Sequence, residues 1–213
     1  MIIKTNEEIF KLLDANIKNP ETELVYNSDF ELLVAVMLSA QCTDKRVNMV
    51  TKELYKKYNT PAQFAKVSQA ELETLIHPCG FFRNKAKNII AMSKELVNKY
   101  NGQVPRDFNS LCALPGVGRK TANVMLIVAF NTPAIPVDTH IFRVSNRLGI
   151  ANTNNVNECE EQIKKAYADL KSEWGKLHHL ILLHGRYVCK AQNPDCNNCY
   201  LSHVCAYYKK NKK

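Results

Sequence analysis

Apolar residues recur at spacings of three and four along almost the whole of this 213-residue chain, and no stretch alternates convincingly with period two. The pattern predicts an all-α fold, because only a repeat near 3.6 residues keeps such positions on one face. Phe30 to Leu38 is nearly all apolar and predicts a buried central helix. Ser68-Gln69-Ala70-Glu71 has the form of a capping box leading into Leu72, Leu75 and Ile76, with a stop near Gly80. Asn84 to Tyr100 carries Ala86, Ile89, Ile90, Leu96 and Val97 on one face and stops at Asn101-Gly102. Further helices are expected over 108–113, 120–130, 139–148, 157–170 and 174–187. With 46% hydrophobic and 23% charged residues, the chain can bury the core of one large or two small domains. There is no internal repeat, and the only low-complexity segment is a short lysine tail.

Two of these helices flank Leu114-Pro115-Gly116-Val117-Gly118-Arg119-Lys120-Thr121, which therefore has the form of a helix–hairpin–helix. Glycines at 116 and 118 permit positive φ and bring bare amide N–H groups close to a ligand where the second helix begins. Such a turn suits a phosphate. The run lacks the four-residue gap and terminal Gly-Lys-Ser/Thr of a nucleotide P-loop, and no strand precedes it, so a nucleic-acid backbone fits better. Pro115 and the glycines would equally serve merely to end one helix and start another. Eighteen residues after Lys120 comes Val137-Asp138-Thr139-His140, which adds a carboxylate to the amine. Asp138 also has a purely structural reading, as the N-cap of the helix that follows.

The opening Met1-Ile2-Ile3-Lys4-Thr5-Asn6-Glu7-Glu8 has no basic segment leading into an apolar one, and no stretch of about eighteen apolar residues occurs, so a cytoplasmic protein without a membrane span is expected. Eight cysteines are then intracellular thiols rather than a disulfide framework. Cys42, Cys79, Cys112 and Cys159 are scattered and are expected to be buried small hydrophobes. Cys189, Cys196, Cys199 and Cys205 are separated by six, two and five residues, so four thiolates within seventeen residues can converge on one centre. With only one close pair, the spacing favours a cubane iron–sulfur cluster over structural zinc. Lys+Arg exceed Asp+Glu by 29 to 20, a net charge of +9 that favours a polyanionic partner or an acidic membrane surface. Arg186, Lys190, Lys209, Lys210, Lys212 and Lys213 make the cysteine region itself basic.

The chain resembles the endonuclease III family of base-excision DNA glycosylases with abasic-site lyase activity. The similarity runs through Leu38-Ser39-Ala40-Gln41-Cys42-Thr43-Asp44, Gly80-Phe81-Phe82-Arg83-Asn84-Lys85-Ala86, Leu114 to Asn123, Val137 to Arg147, His184-Gly185-Arg186-Tyr187 and the cysteine loop, in that order. The resemblance implies two helical lobes with double-stranded DNA in a cleft between them. One is a six-helix module over 25–132 that contains the hairpin at about 108–130. The other, 1–24 plus 133–213, carries a [4Fe-4S] cluster on the loop 189–205. The partner is DNA bearing damaged pyrimidines or abasic sites, bound by a monomer associated with the nucleoid.

An enzyme acting on one base of a duplex must extrude that nucleotide and leave a plug behind. The resemblance makes Gln41 the plug and Phe81 a wedge, at a position where the family often carries leucine; a phenyl ring there bears on the preferred opposing base. Otherwise Phe81 is a core aromatic beside Phe82. Gly116, Gly118, Arg119 and Thr121 would hold the backbone, and His140 with Arg143, one helical turn apart, would face the DNA. Lys120 attacks C1′ only as a free amine, which partial desolvation, the positive end of its helix and Arg119 would favour. Asp138 would stabilise the positive charge that develops on the sugar. His178, His179 and His184 lack partners at ligand spacing and are expected to be structural.

Two other classes compete with this one. Adenine–mismatch glycosylases share the hairpin, aspartate and cluster, but typically lack the lysine and carry a glutamate where this chain has Ala35-Val36-Met37-Leu38. A noncatalytic DNA-binding or electron-carrying module would have no use for both Lys120 and Asp138.

Overall fold

A computed structural model describes residues 2–211; Met1, Lys212 and Lys213 lie outside the described residues. Among the described residues all regular structure is helical. The helices are α1 (Ile2–Asn16), α2 (Asp29–Ser39), α3 (Asp44–Lys57), the single turn α4 (Pro61–Phe64), α5 (Gln69–Ile76), α6 (Phe82–Lys99), α7 (Phe108–Ala113), α8 (Arg119–Val128), α9 (Thr139–Leu148), α10 (Val156–Ala166), α11 (Trp174–Tyr187) and α12 (Ala206–Asn211). Short 3-10 segments cover His77–Cys79 and Ala168–Glu173. No described helix is long and apolar enough to cross a membrane.

The chain divides into two compact units, one spanning Glu23–Phe130 and the other formed by the residues before Glu23 together with those from Asn131 onward. In the first unit α2 is the central helix, buried from Phe30 through Leu38 and packed against α3, α6 and α8. Even Glu31 is 3% exposed there, because its carboxylate accepts the Asn27 backbone N–H at 2.6 Å while Ser28 caps the Glu31 N–H at 3.2 Å. The capping box expected at Ser68 forms only by half. Ser68 Oγ accepts the Glu71 N–H at 3.2 Å, but the Glu71 side chain turns away to Lys57 and to the Tyr58 hydroxyl at 2.7 Å. A charged and a phenolic donor together outcompete one backbone N–H. A complete box closes instead between Thr60 and Gln63 on α4.

In the second unit α9 and α11 pack closely around Ile141, Val144, Leu177, Leu180 and Ile181, joined by Ile9 and Leu13 of α1. Gly185 makes the approach possible: a Cβ there would lie 2.9 Å from His140 Cβ and 3.1 Å from Val144 Cγ2. α6 begins at Phe82, two residues before the expected Asn84, because Phe81 in a left-handed conformation (φ 47°) launches it. α10 ends at Ala166 rather than near 170, since Tyr167 leaves helical geometry (φ −124°, ψ 34°).

Candidate nucleic-acid interface and cysteine centre

The glycine turn between α7 and α8 uses its two glycines differently. Gly116 adopts φ +76°, and a Cβ there would meet Asn88 Cβ at 2.7 Å and Met37 Cε at 2.9 Å, so it is required by the fold. Gly118 does not take the expected positive φ. As N-cap of α8 it has φ −93° and ψ 175°, which any residue can adopt, and a Cβ would enter open space. What Gly118 offers is the absence of a side chain, and of a side-chain cap, beside the first-turn N–H groups of α8. The two positions are therefore separable. Gly116→Ala is expected to cost ~2–4 kcal/mol of stability through left-handed strain and overpacking. Gly118→Ala should leave stability within about 0.5 kcal/mol and weaken binding of duplex DNA, as urea unfolding and DNA titration of the two variants would report.

Lys120 lies in the first turn of α8 and is exposed, so the free protein does not itself supply the partial desolvation expected of it. The positive helix end remains. Arg119 is exposed beside it, its guanidinium 5.4 Å from the centre of the Phe108 ring. Thr121 is half-buried.

The same unit displays Gln41 and Phe81 on two left-handed residues, φ 54° and 47°, both exposed. Phe81 is 64% exposed, whereas Phe82 stacks on His77 with ring centres 4.5 Å apart. The two phenylalanines are thus separated: one packs and the other projects. A cavity of about 180 Å³ lies between these turns, lined by Met37, Gln41, Phe81, Asn84, Asn88 and Gly116, among others.

In the other unit Asp138 is the N-cap of α9, and its two bonds converge on one oxygen: Oδ1 accepts the N–H groups of His140 at 2.9 Å and Ile141 at 2.8 Å. Oδ2 takes no part in this cap, so capping and charge stabilisation do not compete for the whole carboxylate. His140 and Arg143 do meet, Nη2 to Nδ1 at 3.3 Å, but the Arg143 guanidinium is engaged inward. It donates to Gly185 O at 2.8 Å and, through Nη2 and Nε, to Cys189 O at 3.1 and 3.2 Å. What it visibly does is fasten the start of the cysteine loop to α9.

Cys189, Cys196, Cys199 and Cys205 line one pocket with Leu148, Val188 and Leu201, all four as free, half-buried thiols. Among the described residues no three His, Cys, Asp or Glu side chains are placed as ligands of a single metal ion. Burial, reinforced by the neighbouring thiols, pushes Cys196 and Cys199 above the ordinary thiol value, so iron, which requires thiolates, would displace protons on binding. Arg147 escaped the sequence reading. Its Nη1 donates to Cys189 Sγ at 3.4 Å and to Lys190 O at 2.7 Å, and its guanidinium lies 4.9 Å from the Tyr207 ring centre. Its position one turn after Arg143 on α9 was the available signal.

His178, His179 and His184 are all buried. His184 Nδ1 pairs with the Tyr200 hydroxyl at 2.7 Å, tying α11 to the loop, and burial pushes its pKa down to about 4. Of the scattered cysteines, Cys79 and Cys159 are buried as expected, while Cys42 and Cys112 are only half-buried. Lys190, Lys209 and Lys210 are exposed and Arg186 is half-buried.

This arrangement belongs to a defined class: residues 34–169 match the model of the HhH-GPD superfamily of base excision DNA repair proteins. Over 194 residues the chain is 50% identical to endonuclease III of Bacillus subtilis (strain 168), covering 91% of this chain and 88% of that protein. It is 47% identical over 204 residues to endonuclease III of Escherichia coli (strain K12), covering 95% of each. Its fold superposes with TM-score 0.90 and 48% identity on a trapped endonuclease III–DNA covalent intermediate in an estranged-adenine complex, covering 98% of this chain and 99% of that one. The chain belongs to the endonuclease III family.

Proposed function

We propose that this chain is a bifunctional DNA glycosylase and abasic-site lyase that removes oxidised pyrimidines, such as thymine glycol and 5-hydroxycytosine, from duplex DNA. The observation that carries the reading is an exposed lysine in the first turn of a helix whose N-cap, Gly118, puts no side chain over the helix end. Those N–H groups grip a phosphate next to the lesion, with Arg119 adding charge. Gln41 fills the stack that the extruded nucleotide leaves, and Phe81 wedges the opposite strand.

With the sugar held, the Lys120 amine attacks C1′ and the N-glycosidic bond breaks, the base leaving with the electron pair and taking up a proton. Positive charge spreads over C1′ and the ring oxygen in that step, and the carboxylate of Asp138 would stabilise it. Ring opening gives a Schiff base on Lys120. Loss of a C2′ proton then expels the 3′ phosphate, which cuts the strand 3′ to the lesion.

Cys189, Cys196, Cys199 and Cys205 would hold a [4Fe-4S] cluster. The fit rests on four thiols lining one largely apolar pocket with an arginine donating to one sulfur. Held there, the cluster would pin the loop 189–205 and so present Lys190 and its neighbours to phosphate. An adenine–mismatch type of activity is disfavoured by the lysine at position 120, for which a monofunctional enzyme has no use. The test is borohydride reduction of the protein on a duplex with one thymine glycol. A covalent protein–DNA adduct with base release is expected; base release without an adduct would replace this reading with the monofunctional one.

A further inference from the structure

Lys85 is the most unusual side chain of α6: a lysine 8% exposed, on the same face as Ala86, Ile89 and Met92. Its ammonium has three N–H donors, and all three are matched by backbone carbonyls: Leu38 O at 2.8 Å, Ala40 O at 2.8 Å and Cys79 O at 2.9 Å. Leu38 lies in the last turn of α2 and Ala40 is its C-cap, where the carbonyls have no helical partner, and Cys79 ends the 3-10 turn. A cation at two helix C-termini also meets the negative ends of both. Each of these termini leads directly into one of the left-handed residues. Ala40 precedes Gln41 at φ 54°, and Cys79 precedes Gly80 at φ 65° and Phe81 at φ 47°.

We propose that Lys85 is a positioning residue for base extrusion, stapling the Gln41 turn to the Phe81 turn so that plug and wedge enter the duplex with a fixed separation. The inference rests on the roles given to Gln41 and Phe81 above. The three bonds converge on one nitrogen, so neither turn can shift without breaking bonds that fix the other. Non-glycine residues at positive φ persist only where their surroundings over-determine them, and here the surrounding constraint is this ammonium. Burial draws the Lys85 pKa below the ordinary lysine value, while the Cys79 and Cys42 thiols beside it pull the other way. An apolar isostere of Lys85 withdraws all three of these N–H donors from the carbonyls at once.

Two substrates separate positioning from mere stability. Thymine glycol paired with adenine must be extruded, whereas a preformed abasic site has no base to extract and asks less of plug and wedge. Under single-turnover conditions Lys85→Met is expected to slow thymine glycol excision by about 10- to 100-fold. Cleavage at the abasic site should fall several-fold less, and hydrogen exchange should quicken at residues 39–42 and 79–82 only. If Lys85→Met does not give folded protein, Lys85→Arg goes through the same pair, since a planar fork cannot place one nitrogen on three carbonyls, and the same selective loss is required. Equal losses on both substrates, or none on either, would overturn the proposal. Gln41→Ala and Phe81→Ala serve as references and should show the selective loss themselves. If they do not, the plug-and-wedge reading falls and this inference falls with it; if they do and the Lys85 variants do not, this inference alone is wrong.

Discussion

Lys120→Ala is expected to abolish the borohydride-trapped adduct and to slow strand cleavage at thymine glycol by ~10³-fold or more, because the residue that forms the covalent intermediate is gone. Stability should hardly move, since Lys120 is exposed in the first turn of α8 and alanine is a good helix former. Binding should survive as well: the first-turn N–H groups of α8 and the Gly118 opening are backbone features that the substitution leaves alone. Gel-resolved trapping alongside a DNA titration measures both. An adduct that persists in the variant would mean that another amine is the nucleophile and that Lys120 only neutralises phosphate.

Asp138→Asn should lower excision by ~10²–10³-fold, the usual consequence of removing one group that stabilises transition-state charge. The amide oxygen can still accept the His140 and Ile141 N–H groups that now reach Oδ1, and asparagine caps helices as well as aspartate does, so the melting midpoint should stay near that of the parent. Asp138→Ala should lose activity and about 1 kcal/mol of stability together. The comparison separates two roles that the sequence alone cannot. Full activity in Asp138→Asn would reduce the residue to a helix cap.

The legible part of this protein was whatever depends on residues close together in the chain. Periodicities of three and four gave the helices, with α7 and α9 matching the expected bounds, because helix formation is a local property reinforced by an apolar face. Four cysteines within seventeen residues announced a shared centre in the same way, since a short loop can bring them together unaided. The glycine hairpin was visible as a motif, but not the division of labour within it. Gly116 is fixed by Asn88 and Met37, which are remote in sequence, and Gly118 by nothing at all.

Side-chain partners were the illegible part. Glu71 fitted a capping box until Lys57 and Tyr58 supplied better donors from α3 and its end. For Arg143, read as a phosphate contact, the structure adds the carbonyls of Gly185 and Cys189, more than forty residues on, as partners of its guanidinium. Lys85 did leave a trace, four residues before the buried Ile89 and so in phase with the core face of α6, where a lysine is costly unless its charge is answered.

The sequence by itself determined that this is an all-helical DNA repair protein carrying a lysine at a glycine hairpin, an aspartate at a helix start and a four-thiol loop. Each of those is a spacing that local geometry preserves. Only the tertiary structure decided which polar groups are already spoken for: that Asp138 caps with one oxygen, that Arg143 and Arg147 brace the cysteine loop, and that one buried ammonium joins the Gln41 and Phe81 turns. Hydrogen-bond donors and acceptors choose partners by proximity in space, and for these groups the partners lie up to 47 residues apart along the chain.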